Sequence, residues 1–307
     1  MKKIILIISI MLVIIFGFFS LLNRSSNEAV VGEKMLVSAS FYPVYFFAKE
    51  IAKDHAEVLN ITPAGAEPHD YELSAKDISN IEKSKILILN GGGLEPWGES
   101  MKKNLASSET LVVEAGEGVA DKMMMENGKD VVDPHVWLSP ELAEKMADNI
   151  LEAFKKSDPK NVDSYIANAA LLKLNLKELG DDFRVGLSEC KKKEIITSHT
   201  AFGYLAAAYG FSQIAITGMS PSAEPSIQQL REIIDLAKKN DIKYIFFESL
   251  VSPKLSETLA SEVGAETLVL NPLEGLTKKE LSEGKDYFTE MRANLNNLQM
   301  ALECKKQ

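Results

Sequence analysis

From Met35 onward, short apolar runs alternate with stretches of helical spacing, and one long helical pattern interrupts that alternation at mid-chain. In the first half, Met35–Phe41, Ala56–Thr62, Ile86–Leu89 and Leu111–Glu114 read as strands. In the second half, Glu194–Ser198, Ser212–Thr217, Tyr244–Phe247 and Thr267–Leu270 do the same. Helical stretches follow them: Tyr42 to about Lys53, Ser74–Lys83, Pro140–Phe154, a short one through Tyr209, Ser226–Asn240, Pro253–Val263 and Gly284–Glu303. This repetition is the pattern of an α/β fold, with parallel sheets flanked by helices. The interruption begins at Asp158-Pro159 and runs to about Ser188. Tyr165, Ile166, Ala169, Leu172, Leu176, Leu179 and Phe183 fall near helical spacing within it. About thirty helical residues make a rod of about 45 Å, enough to pass from one domain to another. A chain of 307 residues also exceeds the size at which one core stops growing. The expected organisation is an N-terminal domain over 34–156, a linking helix over 157–189 and a C-terminal domain over 190–307.

The N-terminus has a different character. Lys2-Lys3 precede Ile4–Leu22, nineteen residues without a charge, and 23–33 reads as a polar tether. A run of this length can span a bilayer. Residues 1–33 are therefore expected to act as a signal or membrane anchor, with the remainder exported to the cell surface or periplasm. Cleavage and retention both stay open. The net charge of −10 argues against a general nucleic-acid binder. The two cysteines, Cys190 and Cys304, are an even count in an exported chain, which favours a disulfide. Glu117–Val132 reads as a mobile apolar loop. It contains Met123-Met124-Met125, but consecutive positions do not converge easily on one soft metal ion.

Three of the four histidines stand where a parallel sheet places ligands, just past strand ends or at helix starts. His69 follows the second strand, His199 sits at a strand-to-helix turn, and His135 lies in Asp133-Pro-His-Val-Trp-Leu-Ser-Pro140. There Pro134 stiffens the loop and Ser139-Pro140 can open a helix. His55 sits at a helix exit and reads as structural or solvated. Three imidazoles with the Glu274 carboxylate would make a closed tetrahedral site suited to zinc. Such a site forms only if distant parts of the chain meet, so spacing alone says little.

Several motifs carry a resemblance. Phe41-Tyr-Pro43, Glu67-Pro-His-Asp-Tyr-Glu72, Asp133–Pro140, Ser198-His-Thr-Ala-Phe-Gly203, Gly218–Ser226, Phe247-Glu-Ser249 and Asn271-Pro-Leu-Glu-Gly275 together resemble the metal-binding subunits of bacterial ABC importers for zinc and manganese, the cluster A-I solute-binding proteins. The likeness runs from about residue 35 to the C-terminus. It implies two lobes joined by one long helix, with metal in the cleft between them. It also implies an importer permease as partner, and a monomer. Carried over residue by residue, the metal ligands would be His69, His135 and His199, with Glu274 or a water in the fourth position. Glu67, Glu224 and Glu248 would lie near the cleft in supporting roles. Zinc is expected over manganese, because three of four donors are imidazole nitrogens. The sequence departs from the family in lacking a cysteine near residue 23 for lipid attachment, and in lacking histidines in the loop before His135. A secreted zinc hydrolase is the competing reading. It needs an open coordination position beside a general base, and no HExxH helix is present. An adhesin that also binds metal is a third, with no adhesive module in the sequence to favour it.

Overall fold

The computed structural model describes residues 34–126 and 128–305. The charge-free stretch Ile4–Leu22 and the tether lie outside the described residues. Among those described, no helix is long and apolar enough to cross a membrane.

Four parallel strands open the fold: β1 (Met35–Ala39), β2 (Ala56–Asn60), β3 (Ile86–Leu89) and β4 (Leu111–Glu114), in the order β2-β1-β3-β4. All four residues of β3, Ile86-Leu-Ile-Leu89, are buried, as a strand covered on both faces requires. A two-stranded antiparallel hairpin follows, β5 (Met123–Glu126) with β6 (Lys129–Val132). The second parallel sheet comprises β7 (Glu194–Thr197), β8 (Ser212–Ala215), β9 (Tyr244–Phe247) and β10 (Glu266–Val269), in the order β10-β9-β7-β8.

The helices are α1 (Tyr42–Ala52), α2 (Ala75–Lys83), α3 (Gly98–Leu105), α4 (Pro140–Ser157), α5 (Val162–Gly186), α6 (Gly203–Tyr209), α7 (Ile227–Lys239), α8 (Lys254–Val263), α9 (Lys278–Ser282) and α10 (Tyr287–Ala301). Local chemistry sets several starts. Reciprocal side-chain to backbone caps join Ser74 to Asp77, Ser226 to Gln229 and Asp286 to Thr289, satisfying N–H groups that have no partner inside the helix. Pro43 and Pro140 occupy first turns, where a missing N–H costs nothing.

Helix α5 has 25 residues, so it is about 37 Å long rather than the 45 Å expected. It packs on α1 and α4, which flank the first sheet, and on α10, which follows the second. Tyr165, Ala169, Leu172, Leu176, Leu179 and Phe183 are buried along it, whereas Ile166 is 45% exposed and does not belong to that stripe. Each buried Leu or Phe contributes about 1.5–3 kcal/mol. Gly186 is in close contact with α10: a Cβ there would meet the Gln299 amide at 2.7 Å and Leu295 Cδ1 at 3.1 Å. Cys190 and Cys304 are disulfide-bonded, tying the segment after α5 to the end of α10.

Other parts of the chain also differ from expectation. Glu117–Val132 is not a structureless loop, because 123–132 holds the β5–β6 hairpin in the register Met123↔Val132 and Met125↔Asp130. Gly128, at φ +74°, supplies the left-handed turn conformation. The short helices α3 and α9 were not anticipated. The closing helix starts at Tyr287 and ends at Ala301, inside the expected bounds of Gly284 and Glu303.

Candidate metal centre

His69, His135, His199 and Glu274 converge on one point from four separate segments, and no other such grouping of metal-ligating side chains occurs among the described residues. His69 sits in a 3-10 turn, Pro68–Asp70, after β2. Glu67 caps that turn by accepting the His69 backbone N–H at 3.3 Å. His135 precedes a 3-10 turn, Val136–Leu138, that leads into α4. His199 lies just beyond β7, between that strand and α6. Glu274 follows β10 in a loop where Leu273 adopts φ +55°. That unusual conformation is held on several sides. The Asn271 side chain accepts the Leu273 N–H at 2.8 Å. Asn294, on α10, accepts the Asn271 N–H at 2.8 Å and donates to its carbonyl at 2.6 Å. Trp137 donates its indole N–H to the Pro272 carbonyl at 2.7 Å, so a residue next to the His135 segment also fixes the Glu274 loop.

The donor atoms are close and regular. Glu274 Oε1 is 3.2 Å from the Nε2 atom of each of the three imidazoles. His135 Nε2 is 3.2 Å from His69 Nε2 and 3.3 Å from His199 Nε2. A tetrahedral ion with bonds of about 2.0–2.1 Å has ligand–ligand edges of about 3.3 Å, so the spacing fits zinc. The set is shut away from water: His135 and His199 are fully buried, Glu274 nearly so, and the His69 side chain is only 5% exposed.

Two imidazoles are backed by carboxylates on their far nitrogens. Asp133 accepts from His135 Nδ1 at 2.7 Å and from its backbone N–H at 3.0 Å. Glu248, just past β9, accepts from His199 Nδ1 at 2.8 Å and from its N–H at 3.2 Å. Placing the proton on Nδ1 leaves the Nε2 lone pair facing the centre, the tautomer a metal ligand needs. Trp137 packs against His135 with ring centroids 5.2 Å apart, closing another side.

Without an ion, charge is shared among these groups. Burial alone would lower the pKa of His199. The charges of Glu248 and Glu274 outweigh it and hold the imidazole well above its ordinary value. His135 is raised in the same way, its burial overcome by Asp133 and Glu274. His69 is lowered, because burial dominates there. Burial would push Glu274 up, but the three imidazoles, His199 foremost, keep it well below the usual carboxylate range. Glu67 is pushed up to about 9, first by burial and then by the Glu274 charge.

The structure therefore brings together all four residues singled out in the sequence. It places Glu67 and Glu248 beside them, and Glu224 on an exposed loop outside the cluster. His55 lies elsewhere, edge-on to Tyr165 at 5.9 Å. The role of Asp133 behind His135 is one the sequence motif does not assign. Its position two residues before a histidine, in a proline-stiffened turn, was the available signal.

Residues 37–301 match the family model for ZnuA, the zinc-uptake complex component A, periplasmic. The chain is 38% identical to a zinc-binding protein AdcA of Streptococcus pyogenes over 97% of its own length, and it spans 61% of that relative. It is 39% identical to the high-affinity zinc uptake system protein ZnuA of Bacillus subtilis, over 88% of both chains. Among solved structures, it resembles the Zn(II)-bound ZnuA-like domain of Streptococcus pneumoniae AdcA at 37% identity and a TM-score of 0.77, covering 88% of this chain and 99% of that one. The four-donor centre, the paired parallel sheets and these matches lead to one assignment: the chain belongs to the ZnuA family of zinc-uptake components.

Proposed function

We propose that this protein captures a single zinc ion outside the cytoplasm and delivers it to the permease of an ABC importer. The ion is bound by His69, His135, His199 and Glu274. The observation that carries the reading is the convergence of their donor atoms, with Glu274 Oε1 3.2 Å from each imidazole Nε2 and His135 Nε2 3.2–3.3 Å from the other two. Three imidazoles and one carboxylate favour zinc, whereas manganese prefers oxygen donors and sits lower in the general affinity order. The relatives' zinc-uptake names support the same cargo. In this reading the two sheets are the cores of two lobes, 34–156 and 190–307. The segment 157–189 links them, and 1–33 exports or tethers a monomer to the membrane face. In this reading the protein is a carrier and not an enzyme, because four protein ligands would fill a tetrahedral zinc shell and leave no position for an activated water.

Calorimetric titration of the exported part, purified without a histidine tag, tests the reading. One tight zinc site is expected, with manganese failing to displace zinc at comparable concentration. His199→Ala should abolish tight binding, and His55→Ala should leave it unchanged. Equal losses in the two variants, or zinc-dependent turnover of peptide or ester substrates, would contradict it.

A further inference from the structure

The hydroxyl of Tyr204, on α6, gathers three backbone groups from the other half of the fold. It accepts the N–H of Asp121 at 3.0 Å and of Lys122 at 2.9 Å, and donates to the Asp133 carbonyl at 3.1 Å. These residues are the two ends of the β5–β6 hairpin, which are themselves joined by the Asp133 N–H to the Lys122 carbonyl at 2.9 Å. The tyrosine is 3% exposed, and the Lys122 ammonium lies 5.7 Å from its ring centroid. Its neighbour Gly203 makes a second close approach. A Cβ there would sit 2.8 Å from Asp133 Oδ2, so the bare α-carbon makes room for the carboxylate whose other oxygen holds His135.

We propose that Tyr204 and Gly203 form a clasp that positions Asp133, and through it His135, and that this clasp governs how fast zinc leaves. Tyr204 touches no metal ligand through its hydroxyl; it is a positioning residue. His199 and α6 belong to the second sheet's half, whereas Asp133, His135 and the hairpin belong to the first. The clasp therefore joins the segments that supply two of the three imidazoles, away from the donor atoms themselves. Breaking it frees Asp133 to move and lets the two segments part. Because the clasp holds the assembled site rather than the approaching ion, its loss is expressed in dissociation and not in association. The inference rests on the ligand set proposed above.

The test is stopped-flow zinc release into a chelator, paired with association rates, for the full exported part. Tyr204→Phe keeps the ring and removes the hydroxyl, leaving two N–H groups and a carbonyl without that partner. Zinc dissociation about 10–100-fold faster is expected, with the association rate within about twofold of the parent. The gain should shrink in an Asp133→Ala background, which removes the carboxylate that the clasp positions behind His135. Gly203→Ala should likewise speed release, and Tyr209→Phe, on the same helix outside the clasp, should not. An unchanged release rate in Tyr204→Phe, full additivity with Asp133→Ala, or an equal effect of Tyr209→Phe would overturn the clasp. Tight zinc binding by His199→Ala would instead overturn the ligand assignment, and this inference with it.

Discussion

Glu248→Gln isolates what a carboxylate behind a ligand contributes. The amide oxygen can still accept from His199 Nδ1 and from its backbone N–H, the bonds made at 2.8 and 3.2 Å, so shape and tautomer are conserved and only the charge is lost. That charge has two opposed effects. It makes the imidazole a stronger zinc donor, and it also strengthens the proton that must leave before zinc binds. Loss of the partner behind a metal-bound imidazole typically weakens binding by about 10–100-fold, or about 1.4–2.7 kcal/mol. Glu248 is a main reason His199 lies well above its ordinary value, so the variant holds that proton less firmly. The sign follows. In the parent, affinity falls by about tenfold per pH unit for each displaced proton once pH drops below the raised pKa, and in the variant this fall begins at lower pH. The ratio of dissociation constants should be largest at alkaline pH, above the parent's raised His199 pKa, and narrow on acidification. Competition against a chelating indicator across pH measures it. Equal affinities at alkaline pH, or a ratio that widens as pH falls, would refute the reasoning.

Further outcomes follow from the same contacts. Removing the disulfide by paired Cys190→Ser and Cys304→Ser should cost about 3–5 kcal/mol, since it closes a loop of 114 residues. Denaturant unfolding should show that loss, with zinc stoichiometry unchanged. Trp137→Phe deprives the buried Pro272 carbonyl of its 2.7 Å donor and should cost about 1–3 kcal/mol, read as a lower melting temperature. Zinc should also dissociate faster from that variant, because the Glu274 loop loses one of its supports.

The sheets were legible because their strands are short apolar runs bounded by polar turns. Ile86–Leu89 and Tyr244–Phe247 have the predicted bounds. The ligands were legible as histidines past strand ends, supported by the motif resemblance. Their mutual geometry was not, since it depends on which strands neighbour one another. Glu248 reaches His199 because β9 lies beside β7, a pairing no local pattern encodes. The hairpin was missed for another reason. Met123-Met-Met-Glu126 lacks the apolar–polar alternation of a half-buried strand, which masks the two-residue hairpin signal of Asn127-Gly128. Helix α3 was missed because Gly98-Glu-Ser-Met-Lys-Lys-Asn-Leu105 is short and mostly polar. It is anchored by burial of Met101 and Leu105 against the first sheet's core. Tyr204 gave no signal at all: its role exists only once the two halves meet.

The central claim is that one zinc ion occupies a closed shell of three imidazoles and one carboxylate. X-ray absorption at the zinc edge, on protein purified without a histidine tag, tests it directly. The account predicts one zinc per chain with four nitrogen or oxygen neighbours at about 2.0 Å and the outer-shell scattering of three imidazole rings. His199→Ala should remove one ring from that pattern or lose the metal altogether. A sulfur neighbour, a six-coordinate shell, or an unchanged spectrum in His199→Ala would contradict the account.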